Sequence, residues 1–350
     1  MSTPDRIPRV TIIILNWNGI SDTLECLESV TELEYPEVQV IVVDNGSTDG
    51  SPSCIRQRYP SVTLLETGKN LGFTGGNNLG MRKALEMGAD YLWLLNNDTV
   101  LERDTLKNLV EVTEKSPEVW LASPIIFFHD APDQLQFHGS YIDWKKKRIV
   151  KLEGEESFPG YGENVSLWGT ALLIKRTAVE RAGYLNDKYF AYHEDEEYCM
   201  RVARAGYRCV VVPEARIFHK NSRSTGSIES PLQVFLRSRN LFFLWMDKLK
   251  GVDRISYFRR YLSHVISYGG ALREKNLQDS VDACLDGVWH ALRDLGGPRD
   301  PKISMPPFLR RVFLLLFTWH PFLWSSLLRG DFKAIGGNIM NRLAGPRIKA

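Results

Sequence analysis

The sequence predicts an α/β protein: a mostly parallel central sheet flanked by helices, followed by a helical C-terminal extension. Three observations predict it. Apolar, β-branched runs alternate with helix-period segments through the first hundred residues, the pattern of strands joined by crossover helices. Three of those runs end in polar clusters, Asn16-Trp17-Asn18, Asp44-Asn45-Gly46-Ser47 and Asn96-Asn97-Asp98. From Pro231 onward the pattern is helical and increasingly aromatic.

Val10–Leu15 (VTIIIL) reads as a strand buried on both faces, because its apolar residues run on without alternation. Ser21–Val30 reads as a helix, with Ser21 at the N-cap and Leu24, Leu27 and Val30 on one face. Val38–Val43 is the second strand and enters the turn-forming run Asp44–Gly50. A helix over Ser53–Tyr59, a strand over Val62–Leu65, a Gly/Asn-rich loop and a helix over Gly76–Met87 follow. Tyr91–Leu95 is a fourth strand, and Leu101–Lys115 a helix. Beyond Ser116 the expectations are short strands at Val119–Ala122 and Ile125–Phe128, then a hairpin over Gln136–Lys151 with a basic stretch at Lys145–Arg148. Ser166–Ile174 reads as a strand carrying Trp168-Gly169, and Glu194–Ala205 as a helix. Strands at Arg208–Val212 and Arg216–His219 lead to a polar loop, Ser222–Ser230, which places a domain boundary near residue 230.

With 43% hydrophobic and 25% charged residues among 350, the composition is that of a globular protein and excludes disorder, collagen and coiled coil. Forty-four Lys+Arg against 42 Asp+Glu argues against nucleic acid as a partner. The charge is uneven, since Pro301–Ala350 carries eight basic residues and one acidic. Five scattered cysteines without a C-x-x-C pair favour reduced thiols and a cytoplasmic setting over disulfides or structural zinc. The polar start MSTPDRIPR does not read as a signal peptide. Val312–Leu328 is uncharged but broken by Thr318, His320, Pro321, Ser325 and Ser326. It falls short of the roughly 20 apolar residues of a spanning helix.

Ligands of open α/β sheets bind beyond the carboxyl ends of the strands. Each polar cluster also reads as ordinary turn chemistry, but three on one sheet point to a shared crevice. The loop GKNLGFTGGNN (68–78) opens a helix, where glycines and unpaired N–H groups suit a polar or anionic ligand; a tight helix entry explains it equally. Its spacing is not the dinucleotide fingerprint, and no P-loop motif occurs. Asp98 beyond its strand can share a divalent cation with a diphosphate, or cap the segment that follows. In His193-Glu194-Asp195-Glu196-Glu197, four consecutive carboxylates repel one another, which raises pKa values and suits a general base. At a helix start the same charges complement the dipole in any protein. His219 reads equally as a metal ligand, a phosphate donor or a satisfied edge residue.

Taken together, VTIIILNWNG (10–19), VVDNGSTDGS (42–51), NLGFTGGNNLG (70–80), LLNNDT (94–99), WGTALLIKR (168–176), YFAYHEDEEYCMR (189–201) and FHKNSRSTGS (218–227) resemble the inverting family-2 glycosyltransferases. The likeness is greatest to rhamnosyltransferase-type members and covers about residues 9–245. It implies a GT-A fold with a Rossmann-like sheet over residues 1–230, its nucleotide-sugar half about 1–100 and its acceptor half about 101–230. Residues 231–350 would form the helical, aromatic-rich and basic region. By the same resemblance Asp44 contacts the donor nucleotide, with Asn16 and Asn70 lining that pocket and Gly72 and Asn97 beside it. Asp98 matches the last aspartate of the D-x-D metal motif, binding Mg²⁺ or Mn²⁺ together with His219. Asp195 matches the catalytic base, Glu194 places a hydroxyl, and Trp168-Gly169 lies under donor sugar and acceptor. Asn96 departs from the pattern by replacing the first aspartate of D-x-D.

The expected activity is inverting transfer from a dTDP-, UDP- or GDP-linked sugar, with dTDP-L-rhamnose the leading donor, to a glycan or lipid-linked glycan. The segment 308–328, bordered by Arg310, Arg311 and Arg329, fits an interfacial helix at the inner face of a plasma membrane or a helix packed on its own protein or on a second subunit. A sugar-phosphate nucleotidyltransferase fits less well, because NWNGISD stands where its Gly- and Arg/Lys-bearing loop belongs. A sugar-nucleotide-binding protein without turnover has only Asn96 in its favour.

Overall fold

Val10, Thr11 and Ile12–Ile14 are stiff, branched residues that pack well on a pleated surface, and their strand is buried almost throughout. The computed structural model describes residues 6–152, 161–162, 164–220 and 229–328, with backbone alone for 161–162 and 318–328. The chain divides into two compact units, residues 1–227 with 296–298, and residues 228–295 with 299–350. The first contains β1 (Val10–Asn16), α1 (Ile20–Thr31), β2 (Val38–Asp44), α2 (Ser51–Arg58), β3 (Thr63–Glu66), α3 (Gly72–Glu86) and β4 (Tyr91–Asn96). Next come β5 (Thr99–Leu101), α4 (Thr105–Lys115), β6 (Val119–Phe128), β7 (Ala131–Phe137), β8 (Ser140–Asp143) and β9 (Arg148–Lys151). The unit continues with β10 (Tyr161–Gly162), β11 (Val165–Ser166), β12 (Ala171–Lys175), α5 (Arg176–Ala182), α6 (Glu194–Arg204) and β13 (Arg208–His219).

The main sheet runs β10-β13-β6-β12-β4-β1-β2-β3, with β5 paired to β13 and β7 to β6. β1 is parallel to β2 and β4, and β2 to β3. β12 enters antiparallel between β4 and β6, which makes the sheet mixed. Because side chains alternate along a strand, Ile12 and Ile14 feed one apolar layer while Ile13 feeds the other. Each such fully buried side chain contributes about 1.5–3 kcal/mol. A second, three-stranded sheet has the order β11-β8-β9.

Several elements differ from the sequence reading. α3 starts at Gly72 rather than Gly76, taking in half of the expected loop. Its unfavourable Asn78 is compensated by bonds to Leu185 O (2.9 Å) and Asp187 Oδ1 (2.7 Å), and Leu185 N–H donates back at 3.0 Å. Ser21 is not the N-cap of α1; the helix begins at Ile20, whose N–H donates to Asp49 Oδ2 from another element (3.3 Å). The expected helix from Leu101 is β5 followed by α4. Each of two expected strand pairs is one strand: β6 runs on through Ser123-Pro124, and β13 absorbs Pro213 at a register shift between Val212 and Arg216, where the missing N–H is tolerated. The expected 136–151 hairpin is β8–β9 alone, since Gln136 and Phe137 belong to the main sheet. Trp168-Gly169 lies in the turn between β11 and β12, not within a strand. The polar loop expected over 222–230 falls largely outside the described residues.

The second unit holds α7 (Pro231–Met246), α8 (Gly251–Glu274), α9 (Gln278–Leu292) and α10 (Pro307–Leu328). α8 and α10 meet where Gly269 faces Phe317; a Cβ there would overlap the ring. No helix among the described residues is long and apolar enough to cross a membrane.

Candidate active site

In-register pairing of β1 with β2 sets Asn16 beside Asp44 at their carboxyl ends. Asn16 is fully buried. Its Nδ2 donates to Asp44 Oδ1 (2.8 Å) and Ser47 Oγ (3.1 Å), and its Oδ1 accepts from Thr23 Oγ1 (2.8 Å). Asn16 therefore acts as scaffold: its bonding capacity goes to aiming Asp44, whose other oxygen accepts from Ser47 N (3.0 Å). Asn45 binds the glycine loop in the same way. Its Nδ2 donates to Asn70 Oδ1 (3.1 Å) and Gly72 O (3.1 Å), and its Oδ1 accepts from Leu71 N (2.9 Å). Asn70 is exposed and Gly72 buried. Asn97 Nδ2 donates to Thr23 Oγ1 (3.0 Å), tying the turn after β4 to the first helix.

Asp98 and His219 come together. β5 pairs antiparallel with the end of β13, His219 opposite Thr99, so Asp98 Oδ1 lies 3.2 Å from His219 Nε2 with both side chains buried. That nitrogen has no hydrogen-bond partner among the described residues. Among the described residues no group of three or more His, Cys, Asp or Glu gathers to hold a metal. An imidazole lone pair facing a carboxylate nonetheless fits a hard divalent cation that takes its remaining oxygens from phosphate and water. Lys220, next in the chain, pairs with Asp22 Oδ1 (2.7 Å) and with Glu25 of α1.

Asp195 sits in the first turn of α6 and accepts two backbone N–H groups, Gly169 to Oδ2 (2.9 Å) and Glu196 to Oδ1 (2.7 Å). Burial first, and then the charge of Glu196, push its carboxyl up to about 6 against those two donors. Glu194 is 5% exposed, with an Oε2 that has no partner among the described residues. Burial, reinforced by Asp195, holds it well above the usual carboxylate range. Both carboxyls are therefore raised by burial. His193 Nδ1 lies 2.6 Å from Glu196 Oε2.

Backbone conformation delivers Asp195 to its place. Phe190, Tyr192 and His193 have φ of 65°, 69° and 69°, a left-handed conformation that costs a non-glycine residue of order 1–3 kcal/mol. The segment is held down at its start, where Thr74 N donates to Phe190 O (3.1 Å). Gly72, at φ +76°, leaves room for Phe190. On the other side Gly169 N–H reaches Asp195, Thr170 O accepts from Asn96 N (2.9 Å), and Asp98 follows two residues later. Asp98 and Asp195 are therefore held at one end of the sheet. Trp168 stacks on Phe137, centroids 4.1 Å apart, and Lys151 Nζ stands 5.5 Å from its ring.

All the site residues read from the sequence lie at this end of the first unit. Sequence reasoning missed Ser47, Asn45, Phe190 and Gln136. Ser47, Asn45 and Phe190 stand inside motifs that were legible; Gln136 gives no local signal.

The family model of glycosyl transferase family 2 matches residues 11–182, a span that includes Asn16, Asp44, Asp98 and Gly169 and ends before Asp195. An N-acetylglucosaminyl-diphospho-decaprenol L-rhamnosyltransferase of Mycobacterium tuberculosis is 30% identical over 215 residues, 54% of this chain and 68% of that protein. A dTDP-rhamnosyl transferase of Shigella flexneri is 23% identical over 239 residues, 66% of this chain and 78% of its own. Among solved structures, a mannosyltransferase of Pyrobaculum calidifontis in complex with GDP-Man and Mn²⁺ superposes with a TM-score of 0.53 at 19% identity, covering 96% of this chain and 88% of that one. Fold alone does not fix function, but the family match, 30% identity across two thirds of a relative and the superposition on a solved glycosyltransferase agree: this chain belongs to glycosyltransferase family 2 and is a hexosyltransferase of GT-A fold.

Proposed function

We propose that the protein is an inverting transferase that moves L-rhamnose from dTDP-L-rhamnose to a hydroxyl of a glycan or lipid-linked glycan. The observation that carries this reading is Asp195, a carboxylate raised to about 6 and fixed by two N–H donors, at the same sheet end as the Asp98–His219 pair. The names of the rhamnosyl-transferring relatives support the sugar.

In this reading Asp195 accepts the proton of the acceptor hydroxyl as its oxygen forms a bond to the anomeric carbon and the bond to the donor diphosphate breaks on the opposite face. A positioned base of this kind contributes about 10²–10⁴ in rate. Glu194, beside Asp195 in the first turn of the same helix, places a hydroxyl of the sugar or the acceptor. Asp44, aimed by Asn16 and Ser47, takes the nucleoside, and Trp168 gives the sugars an apolar face backed by Phe137. A Mg²⁺ or Mn²⁺ held by Asp98 and His219 would supply Lewis-acid stabilisation of the leaving diphosphate. A UDP- or GDP-linked donor is the second reading, the GDP one on the structural neighbour's GDP-Man.

The test is a thermal-shift screen of dTDP, UDP and GDP with Mn²⁺, followed by release of dTDP from dTDP-L-rhamnose. A shift with dTDP alone, together with metal-dependent release, is expected; a shift with GDP or UDP only would refute the rhamnose donor. A lipid-linked acceptor would bring the chain to a membrane surface, where Phe308, Val312 and Leu315 stand exposed on α10. Flotation of the full chain with anionic liposomes that equals that of residues 1–300 would remove this part of the reading.

The pH profile follows from the two carboxylates. Asp195 must be ionised to act, and its raised pKa means that turnover falls as pH drops through about 6. Glu196 contributes to that rise, so Glu196→Gln removes a like charge and moves the acid limb to lower pH. An acid limb that stays in place or moves upward in the variant's kcat/KM profile would contradict the assignment.

A further inference from the structure

We infer that Gln136 is a positioning residue that decides which nitrogen of His219 carries the proton, and thereby keeps the Asp98–His219 pair open to a cation. The inference rests on reading that pair as the metal site. His219 Nδ1 lies 2.8 Å from Gln136 Oε1. An amide oxygen only accepts, so the shared proton belongs to Nδ1, and Nε2 is left as a lone pair. That lone pair is buried, has no hydrogen-bond partner among the described residues, and faces Asp98 Oδ1 at 3.2 Å. Two acceptors 3.2 Å apart with no hydrogen bond between them repel, and a shared cation relieves the repulsion. The opposite tautomer would put a proton on Nε2 and leave that nitrogen no lone pair for a cation.

Gln136 is well placed for this. It is 3% exposed, on a strand of the main sheet, where the neighbouring Phe137 is pinned against Trp168. Gln136 is the extra residue of a bulge, since Ile126 pairs with Phe137 and Phe127 with Leu135, and a bulge re-aims a side chain. One strand therefore orients the metal-ligating imidazole with Gln136 and backs the sugar platform with Phe137. Outer partners that fix the tautomer of a ligating histidine are worth about 10–100-fold in metal affinity.

The experiment titrates the full chain with Mn²⁺ alone, reading free Mn²⁺ by electron paramagnetic resonance, alongside ¹⁵N-histidine NMR of the metal-free protein. Gln136→Met, close in volume but without an acceptor oxygen, is expected to weaken Mn²⁺ binding about 10–100-fold and to shift the His219 proton to Nε2. Gln136→Glu keeps an acceptor for Nδ1–H and is expected to hold at least the wild-type affinity. The proposal is overturned if Gln136→Met binds as tightly as wild type, if Gln136→Glu loses as much as Gln136→Met, or if the wild-type spectrum shows Nε2 protonated. Loss of affinity in His219→Ala with none in Gln136→Met overturns the positioning role alone. No loss in His219→Ala overturns the metal reading and this inference with it.

Discussion

Asp195→Asn is expected to reduce transfer by about 10²–10⁴ while leaving nucleotide affinity unchanged. The carboxylate it replaces accepts the Gly169 N–H, next to Trp168 in the turn between β11 and β12. An asparagine keeps the volume and one acceptor oxygen but cannot take a proton at neutral pH. Its amide nitrogen also turns a donor toward one of the two backbone N–H groups that Asp195 now satisfies. In the proposed reading nucleotide binding rests on Asp44, Asn70 and the Asp98–His219 pair, and the hydrogen bonds of the Asp195 carboxylate go to Gly169 and Glu196 instead. Single-turnover transfer against calorimetric titration with dTDP and Mn²⁺ separates the two effects. Turnover within about tenfold of wild type would assign the base elsewhere, since removing a general base costs at least about 10².

Gly72→Ala is the second large effect, and it acts on architecture before chemistry. Two penalties coincide at this residue. Its φ of +76° is disfavoured for alanine, and the added Cβ would stand 2.5 Å from both the ring and the carbonyl oxygen of Phe190. Left-handed backbone costs about 1–2 kcal/mol, and overpacking typically another 1–3. The carbonyl cannot yield easily, because it accepts Thr74 N–H and belongs to a segment already at positive φ. A loss of about 2–5 kcal/mol in urea denaturation is expected by summing those two contributions. Transfer should fall as well, because displacing Phe190 displaces His193 and the turn that presents Asp195. Gly68→Ala is the control: its φ is +68°, but nothing lies within 4 Å of the new Cβ, so only the backbone part should be lost. Equal losses in the two variants would mean that the contact with Phe190 carries no weight.

Much of the first unit was legible because its information is local. VTIIIL and VQVIVV specify strands by β-branching and burial on both faces, and Asp44, Asp98 and Asp195 each follow a strand end or open a helix. The misplaced elements are those decided by distant partners. The added first turn of α3 at Gly72–Gly75 is held by distant partners, Thr74 N–H donating to Phe190 O and Asn45 Nδ2 to Gly72 O. Gln136 left no trace because its meaning depends on His219, which lies 83 positions downstream. Phe190, Tyr192 and His193 adopt a backbone state usually reserved for glycine, and no propensity announces it. Asn16 was found but its task differs from lining a pocket: its donors and acceptor are consumed in aiming Asp44.

The bond from Asn96 N to Thr170 O, with the one from Gly169 N to Asp195, has a broader meaning. In the proposed reading these two bonds tie the proton acceptor to the turn that carries Asp98 through the main chain of Gly169 and Thr170. Evolution of a new sugar preference in this scaffold is then confined to side chains around that tie. Grafting another relative's periphery should change what is transferred without changing the stereochemical outcome.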